Sequence, residues 1–167
     1  TGATGGIGQG IAARFHAAGA TVALHYRSDA RKAEELCSRL DGSFVVRADL
    51  TDPDHRLVDE VLDRADRIDG LVNNAAVQPV AHLADVDEDA WSEMIDTNLT
   101  AVHRLSRQAA AAMTDGGWIT HIASIEASQP AFAHGHYSVS KAALKMHARA
   151  ASLEWGGRGI RVNSVSP

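Results

Sequence analysis

The chain is poor in cysteine and lacks long apolar runs, and each deficit excludes a class of protein. The single cysteine, Cys37, cannot form an internal disulfide and has no metal-ligand spacing around it, so we interpret it as structural filler. No apolar run approaches the roughly 18 residues of a membrane-spanning helix, and no cationic-then-apolar start resembles a signal peptide. We therefore expect no membrane partner and a cytoplasmic location.

Positive charge is also in deficit. Sixteen basic residues stand against 21 acidic ones, for a net charge of −5, which provides no electrostatic reason to expect nucleic acid as a partner. The length of 167 residues suits one domain, and a hydrophobic content of 45% is typical of globular chains rather than disordered ones. We predict a single domain over residues 1–167.

What the chain does have is an alternation of helical and β-type segments. Helical spacing predicts helices over about 6–18, in ARKAEELCSRL, in DPDHRLVDEVLDRAD, over 87–113 as one or two helices, and from near Tyr137 to about Trp155. Pro53 would lie in the first turn of the third of these. Strand patterns occur in TVALHY, SFVVRADL, DGLVNNAA, WITHIAS and IRVNSVS. This alternation predicts an α/β fold with a parallel sheet. The strands of such a sheet end at one edge, so we expect the motifs there to share one cleft.

A glycine-rich loop, TGATGGIG, occupies residues 1–8. Gly2, Gly6 and Gly8 would let the backbone turn sharply and approach a diphosphate, whose charge the following helix N-terminus would meet. The alternative is merely a tight turn. We expect the side chain of Ile7 to pack beneath the loop.

Tyr137 and Lys141 are four residues apart in a helical segment, so they project from one face. Lowering a tyrosine pKa from about 10 to about 7 requires roughly 4 kcal/mol, which a close ammonium can supply in part. We therefore expect Lys141 to lower the pKa of Tyr137 and to make it a usable acid and base.

Taken in order, the motifs resemble those of the short-chain dehydrogenase/reductase family, over nearly the whole chain. They are TGATGGIG, Asp49 in RADLTD, NNAA at 73–76, Asn98 in DTNLTA, the set Ser124, Tyr137 and Lys141, and IRVNSVSP. The resemblance implies a Rossmann-type doubly wound parallel sheet. It also implies an NAD(P)(H)-dependent oxidoreductase that interconverts a secondary alcohol and a ketone, such as a 3-oxoacyl thioester reductase or a sugar or polyol dehydrogenase. A homodimer or homotetramer built through the long helices is implied as well.

The same resemblance implies roles for individual side chains. Ser124 would orient the substrate oxygen. Ser138 and Ser140 are alternatives on sequence alone, but they are disfavoured because Ser138 turns away from Tyr137 on the helix and Ser140 belongs to the helix body. Tyr137 would transfer the proton, Lys141 would also hold the nicotinamide ribose, and Asn98 would hold a water that links Lys141 to solvent. A non-catalytic dinucleotide sensor on the same fold is the alternative function.

Cofactor contacts are implied at further positions. Asp49 would accept a hydrogen bond from the adenine amino group, or would cap the helix that follows it. Asn73 and Ala75 would contact the cofactor through their backbone, although Ala76 replaces the family's usual glycine. The expected cofactor-binding residues are Gly2, Gly6, Ile7, Gly8, Arg27, Asp49, Leu50, Asn73, Ala75, Tyr137 and Lys141.

The end of the second strand predicts NADP(H) in preference to NAD(H). A carboxylate there would bind a ribose 2′-hydroxyl, but the position holds Tyr26, and Arg27 follows it. Arg27 suits a 2′-phosphate. The alternative is a solvated arginine, because the other basic position of the family is the neutral Gly5.

Three histidines invite a metal-site interpretation, which we reject. His121, His134 and His136 have no suitable helical spacing and no neighbouring acidic or thiolate set, so we expect no metal. We place His134 and His136 in a loop, IEASQPAFAHGH, that lines the substrate pocket. Glu126 in that loop would contact a polar substrate or, more commonly for a loop glutamate, lie in solvent.

The ends of the chain suggest an internal fragment that lacks the first strand and the C-terminal segment. The loop begins at residue 1 without a preceding strand, and Pro167 directly follows a strand. The missing strand would lie in the middle of the sheet, so we expect the isolated chain to be insoluble or molten.

Overall fold

The computed structural model describes all residues, 1–167, and divides into two compact units, Thr1–Arg67 and Ile68–Pro167. In chain order the elements are α1 Gly6–Ala17, β1 Ala23–Tyr26, α2 Ala30–Cys37, β2 Phe44–Arg47, α3 Leu57–Ala65, β3 Gly70–Asn73, α4 Glu88–Ile95, α5 Ala101–Ala112, β4 Gly117–Ile122, α6 Gly135–Trp155 and β5 Ile160–Val165. The predicted alternation of strands and helices is confirmed. That residues 1–167 form one domain stays a prediction.

The first unit is built on a parallel pair of strands, β1 and β2, with Leu24 opposite Val45. Apolar side chains from the loop, α1, β1 and α2 form its core: Ala3, Ala12, Leu24, Leu36 and Leu40. Cys37 packs against this core as filler, and its thiol donates to the carbonyl of Ser43 at 3.3 Å. Gly19, with φ +88°, takes the left-handed conformation that ends α1.

The second unit contains a parallel sheet in the order β3-β4-β5, with β4 in the centre. Its core joins α5 and α6 to the sheet through Ala109, Ala110, Met113, Ile119, Ala148, Ala151, Ile160 and Val162. The residues that α5 and α6 contribute to this core are mostly alanines, and their small side chains let α6 pack closely on β5. None of the helices in the structure combines the length and the apolar character needed to cross a membrane.

A π-helical turn, Asp96–Thr100, joins α4 to α5. The segment predicted as one or two helices is therefore two helices with an irregular turn between them. Such turns often occur at functional positions, and Asn98 lies inside this one.

Two element boundaries differ from the sequence prediction. Pro53 is not in the first turn of α3, because that helix begins at Leu57 with Arg56 as its N-cap. The side chain of Asp52 accepts a hydrogen bond from the backbone N–H of Asp54 at 2.9 Å, which stabilises a local turn instead. The sequence predicts His136 in a loop, but this residue lies in α6, which begins at Gly135.

Candidate functional site

Tyr137 lies in the first turn of α6 and is 8% exposed. The pKa of its phenol is raised above the ordinary value of 10.0, and burial is the largest cause. The hydrogen bond with Ser124 acts in the opposite direction, whereas the negative charge of Glu126 adds to the increase. The prediction of a lowered pKa is therefore wrong for the chain as it stands. The cost of desolvating a phenolate is the largest effect, and Tyr137 is protonated at neutral pH.

Lys141 lies on the same face of α6, as its spacing predicts. Its Nζ is 5.5 Å from the centre of the Tyr137 ring and donates to the carbonyl of Ile122 at 2.8 Å. The side chain is 3% exposed, and burial lowers its pKa from 10.5 to about 8. An amine with that pKa still carries its charge at neutral pH, so a positive group is fixed beside the tyrosine.

Asn98 is fully buried in the π-helical turn. Its Oδ1 accepts from the backbone N–H of Val77 at 2.9 Å, and its Nδ2 donates to the carbonyl of Val77 at 3.0 Å. The Nδ2 atom also lies 3.1 Å from the hydroxyl of Ser140, which donates to the carbonyl of Tyr137 at 2.7 Å. Asn98 thus ties the segment after β3 to α6. Its role in holding a water near Lys141 stays a prediction.

The structure also distinguishes Ser124 from the two serines that the sequence disfavours. Ser140 is fully buried, and the hydroxyl of Ser138 donates to the Glu126 carboxylate at 3.1 Å. Ser124 follows β4, and its side chain forms a hydrogen bond with that of Tyr137. These contacts favour Ser124 for the predicted role.

Glu126 is not a solvated loop residue, since its side chain is only 13% exposed. One of its carboxylate oxygens lies 3.1 Å from Nδ1 of His134 and 3.4 Å from Nε2 of Gln78. Together with Ser138 these residues form a hydrogen-bonded polar cluster in the neighbourhood of Tyr137. Sequence reasoning considered Glu126 and His134 separately and missed their pairing.

His136 does not belong to this cluster. It is 1% exposed in the first turn of α6, and neither ring nitrogen has a hydrogen-bond partner within the chain. Across the chain, no group of three or more histidine, cysteine or acidic side chains is arranged to hold a metal ion.

Asn73 ends β3 and is 3% exposed, while Ala75 in the segment after it is half-buried. The Nδ2 atom of Asn73 donates to the hydroxyl of Ser106 at 3.0 Å and lies 3.1 Å from Nδ1 of His121. Neither partner was predicted, because both are more than 30 residues away in sequence and carry no motif.

In the first unit, the glycine loop leads directly into α1. Gly2 has φ +62°, which glycine adopts without strain. Its N–H donates to Nδ1 of His25 at 3.0 Å, and Nε2 of His25 lies 3.1 Å from the carbonyl of Ala48. His25 therefore braces the loop against the end of β2. Sequence reasoning missed it, although a histidine within the apolar run TVALHY is a visible signal.

The loop fits a diphosphate group. Gly5 is the N-cap of α1 without a side-chain cap, and the first turn contains no acidic residue that would repel an anion. A methyl group at Gly6 would meet no protein atom within 4 Å, so the packing of the chain leaves space there. Gly8 is buried in α1. Ile7 is 52% exposed, so the prediction that it packs beneath the loop is wrong.

Asp49 and Arg27 lie just beyond the ends of β2 and β1. Asp49 accepts hydrogen bonds from the hydroxyl of Thr51 at 2.7 Å and from its N–H at 3.0 Å. These bonds lower the pKa of Asp49, and the positive charge of Arg27 contributes to the shift. Asp49 does not cap α3, which begins only at Leu57. Leu50 beside it is buried.

The predicted residues are thus distributed over both units. The glycine loop, Arg27, Asp49 and Leu50 belong to the first, and the other predicted residues belong to the second. That they share one cleft stays a prediction.

Residues 2–167 match the family model described as enoyl-(acyl carrier protein) reductase. The chain belongs to the short-chain dehydrogenase/reductase family. It is 31% identical to 3-oxoacyl-(acyl-carrier-protein) reductase FabG of Staphylococcus aureus, covering 100% of the chain and 71% of that protein. It is 34% identical to glucose and ribitol dehydrogenase of Daucus carota, covering 100% of the chain and 62% of that protein.

Solved structures agree with this assignment. A short-chain dehydrogenase of Burkholderia cenocepacia in complex with NADP matches with a TM-score of 0.95 and 33% identity, over 99% of this chain and 71% of that one. The predicted Rossmann-type α/β fold is confirmed. As a short-chain dehydrogenase/reductase, the chain is a nicotinamide-dependent oxidoreductase that acts on carbinol or carbonyl groups of small molecules.

Proposed function

We propose that this short-chain dehydrogenase/reductase interconverts a secondary alcohol and a ketone through Ser124, Tyr137 and Lys141. The observation that carries the proposal is the arrangement around the phenol. The side chain of Ser124 forms a hydrogen bond with that of Tyr137, and Nζ of Lys141 lies 5.5 Å from the centre of the Tyr137 ring. A hydroxyl, a proton donor and a cation near one another are what a reacting carbonyl oxygen requires.

Each side chain has a distinct task in this proposal. Ser124 donates a hydrogen bond to the carbonyl oxygen, and Tyr137, which is protonated at neutral pH, gives that oxygen its proton as the carbonyl is reduced. Lys141 supplies a fixed positive charge beside the phenol as it becomes negative. When bound, the nicotinamide supplies or accepts the hydride.

The glycine loop and the N-terminus of α1 would bind the diphosphate, Asp49 the adenine, and Lys141 the nicotinamide ribose, with backbone contacts from Asn73 and Ala75. Asn98 would support the proton path by holding a water near Lys141. The space at Gly6 and the uncapped start of α1 support the assignment of the loop.

The Tyr137→Phe variant tests the proton transfer. Carbonyl reduction should fall by about two to four orders of magnitude, the usual contribution of a positioned acid, while dinucleotide binding is retained. The Tyr26→Phe variant is the matched control, because Tyr26 is the only other tyrosine of the chain and lies in the first unit. Activity of Tyr137→Phe within a few-fold of wild type would refute the assignment.

We also propose a preference for NADP(H) over NAD(H). Arg27 is exposed just after β1, and Nε of Arg47 donates to its carbonyl at 3.2 Å, so two arginines lie near the expected position of a 2′-phosphate. A charge-assisted bond there contributes about 1.5–3 kcal/mol, roughly ten- to a hundredfold in affinity. The NADP complex of the Burkholderia relative supports the proposal.

Steady-state kinetics with both cofactors test this preference. Arg27→Ala should lower kcat/KM for NADPH about tenfold or more and leave kcat/KM for NADH unchanged. Arg31→Ala, which removes an exposed arginine paired with Glu35 on α2, should change neither value. A wild-type enzyme that uses NADH as well as NADPH would refute the preference.

The polar cluster around Glu126 bears on the substrate. A largely buried carboxylate with hydrogen-bonding neighbours suits the hydroxyl groups of a sugar or polyol better than an acyl chain. We therefore propose a hydroxylated substrate, with 3-oxoacyl thioesters as the alternative from the Staphylococcus relative. Turnover of both classes by wild type and by Glu126→Gln decides between them. Only sugar or polyol turnover should weaken in the variant.

A further inference from the structure

Glu126 and His134 form a carboxylate–imidazole pair beside the proposed proton donor. Oε1 of Glu126 lies 3.1 Å from Nδ1 of His134, and the two side chains are 13% and 19% exposed, respectively. The ring of His134 lies edge-on to that of Tyr137, with 6.2 Å between the ring centres. The N–H of Glu126 donates to the hydroxyl oxygen of Ser124 at 3.1 Å. The pair is therefore adjacent to both side chains that would act on the substrate oxygen.

The contacts of Nδ1 fix the tautomer of His134. An ionised carboxylate only accepts hydrogen bonds, so Nδ1 must carry the hydrogen and donate it to Glu126. The amide nitrogen of Gln78 lies 3.3 Å from the same Nδ1, but it only donates, so its hydrogen goes to Oε1 of Glu126 at 3.4 Å. The polar contacts of the ring within the chain are all made through Nδ1. In the neutral ring, Nε2 therefore keeps its lone pair and is a hydrogen-bond acceptor.

The backbone directly before His134 is held in an uncommon conformation. Ala133 has φ +60°, a left-handed conformation that residues other than glycine rarely adopt. Its carbonyl accepts a hydrogen bond from the N–H of Ala81 at 3.0 Å, which holds this segment in place. Backbone strain of this kind is concentrated at functional sites. The imidazole is thus fixed from two sides, by the backbone before it and by Glu126.

We propose that His134 is a specificity-determining residue, whose Nε2 accepts a hydrogen bond from a hydroxyl group on the carbon next to the reacting carbonyl. Glu126 is then a positioning residue that fixes the tautomer of the ring. The proposal rests on the proposed function, because it places the substrate carbonyl at Ser124 and Tyr137. It narrows the substrate class to α-hydroxy ketones and the vicinal diols to which they are reduced.

The acceptor character of Nε2 discriminates between the candidate substrates. A hydroxyl group can donate to a lone pair, whereas the carbonyl oxygens of a 3-oxoacyl thioester only accept and would face Nε2 lone pair to lone pair. An alkyl group would leave this largely buried acceptor without a partner, which weakens binding. The pair therefore favours a hydroxyl beside the carbonyl over either alternative.

Steady-state kinetics of the full-length enzyme with 3-hydroxybutan-2-one and butan-2-one test the proposal. The two ketones differ only in the hydroxyl group, so the ratio of their kcat/KM values cancels effects on dinucleotide binding and proton transfer. His134→Asn keeps a donor near the position of Nδ1 and removes Nε2. This variant should lower the ratio of the hydroxy ketone to the ketone about tenfold, the usual effect of one hydrogen bond.

His16→Asn is the matched control. It makes the same substitution near the C-terminal end of α1 in the first unit, and the ratio should stay at the wild-type value. An unchanged ratio in His134→Asn, or an equal decrease in His16→Asn, would overturn the proposal.

NMR of the His134 ring tests the contact without turnover. At pH 8 the ring should carry its hydrogen on Nδ1. Butane-2,3-diol added to the NADPH complex should shift the Nε2 signal, whereas butan-2-ol, which has no neighbouring hydroxyl group, should leave it in place. A hydrogen on Nε2 in the free enzyme, or equal shifts with both alcohols, would overturn the proposal.

The outcomes separate this proposal from the proposed function. Reduction of butan-2-one with the same ratio in wild type and in His134→Asn would overturn the role of His134 and leave the proposed function standing. A Tyr137→Phe variant as active as wild type, together with a ratio that still falls in His134→Asn, would overturn the proton donor and support His134. A wild-type enzyme that reduces neither ketone would overturn both.

Discussion

His136 is a buried polar residue directly before the proposed proton donor. Both nitrogens of its ring lack a partner within the chain, and an unsatisfied buried polar group costs about 1–3 kcal/mol. Phenylalanine has nearly the same shape without this cost. His136→Phe should therefore raise the melting temperature, which calorimetry would show. A lower melting temperature would mean that the imidazole is hydrogen-bonded in solution.

Tyr137 shows how the surroundings of one side chain reverse a motif-based expectation. Its spacing to Lys141 is as predicted, but burial opposes the charged form of both groups. The pKa of the phenol is raised and that of the amine is lowered. Spacing alone determines which side chains meet, whereas desolvation determines which of them is charged.

At the scale of the elements, β3 and β4 are close enough at one point to require glycine. Gly70 lies opposite Trp118, and a methyl group at Gly70 would come within 2.0 Å of the indole ring. Gly70→Ala should destabilise the protein by about 1–3 kcal/mol, the usual cost of overpacking. Denaturant titration measures this change.

Gly10→Ala is the matched control. Gly10 lies inside α1 with no atom within 4 Å of an added methyl group, so alanine should stabilise the protein by roughly 1 kcal/mol through helix propensity. Opposite signs for the two substitutions would support the packing at Gly70. Equal effects would contradict it.

At the scale of the whole molecule, stability should decrease in acid, and His25 is one of the buried histidines that cause the decrease. Burial lowers its pKa from 6.5 to about 4, so the folded state binds fewer protons than the unfolded state between these values. The contribution is complete above pH 6.5 and is lost as the pH falls towards 4. It amounts to on the order of 3 kcal/mol.

Unfolding free energies at pH 8, 6.5 and 4.5 check this prediction. His25→Gln should make the decrease smaller without abolishing it, because burial also lowers the pKa of His121, to about 3, and that of His147. Lys141 does not produce a decrease in this window, since its pKa of about 8 places its own effect between pH 8 and 10.5. Equal stability of wild type at pH 8 and 4.5 would contradict the assignment to His25.

The oligomeric state is a further property of the whole molecule. Val139, Met146 and Leu153 are exposed on α6 at intervals of seven residues, which places them on one face of the helix. We propose that this face forms a homodimer or homotetramer interface. Met146→Glu should shift the protein towards monomer in light scattering, while Val80→Glu, an exposed apolar position outside α6, should not. A wild-type monomer at all concentrations would refute the proposal.

The sequence by itself determined the order of the elements and the chemistry of the motifs. The predicted helix at about 6–18 is α1 at Gly6–Ala17, and Tyr137 and Lys141 share a helix face as their spacing requires. These features depend on residues within a few positions of one another, so periodicity and turn residues suffice to predict them.

Only the tertiary structure decided burial, protonation and long-range partners. The exposure of Ile7, the raised pKa of Tyr137, the pairing of Glu126 with His134 and the contact of Asn73 with His121 could not be predicted. Each depends on the packing of side chains around it or on partners elsewhere in the chain. Local patterns contain no information about which distant side chains will meet, or about how much water their packing removes.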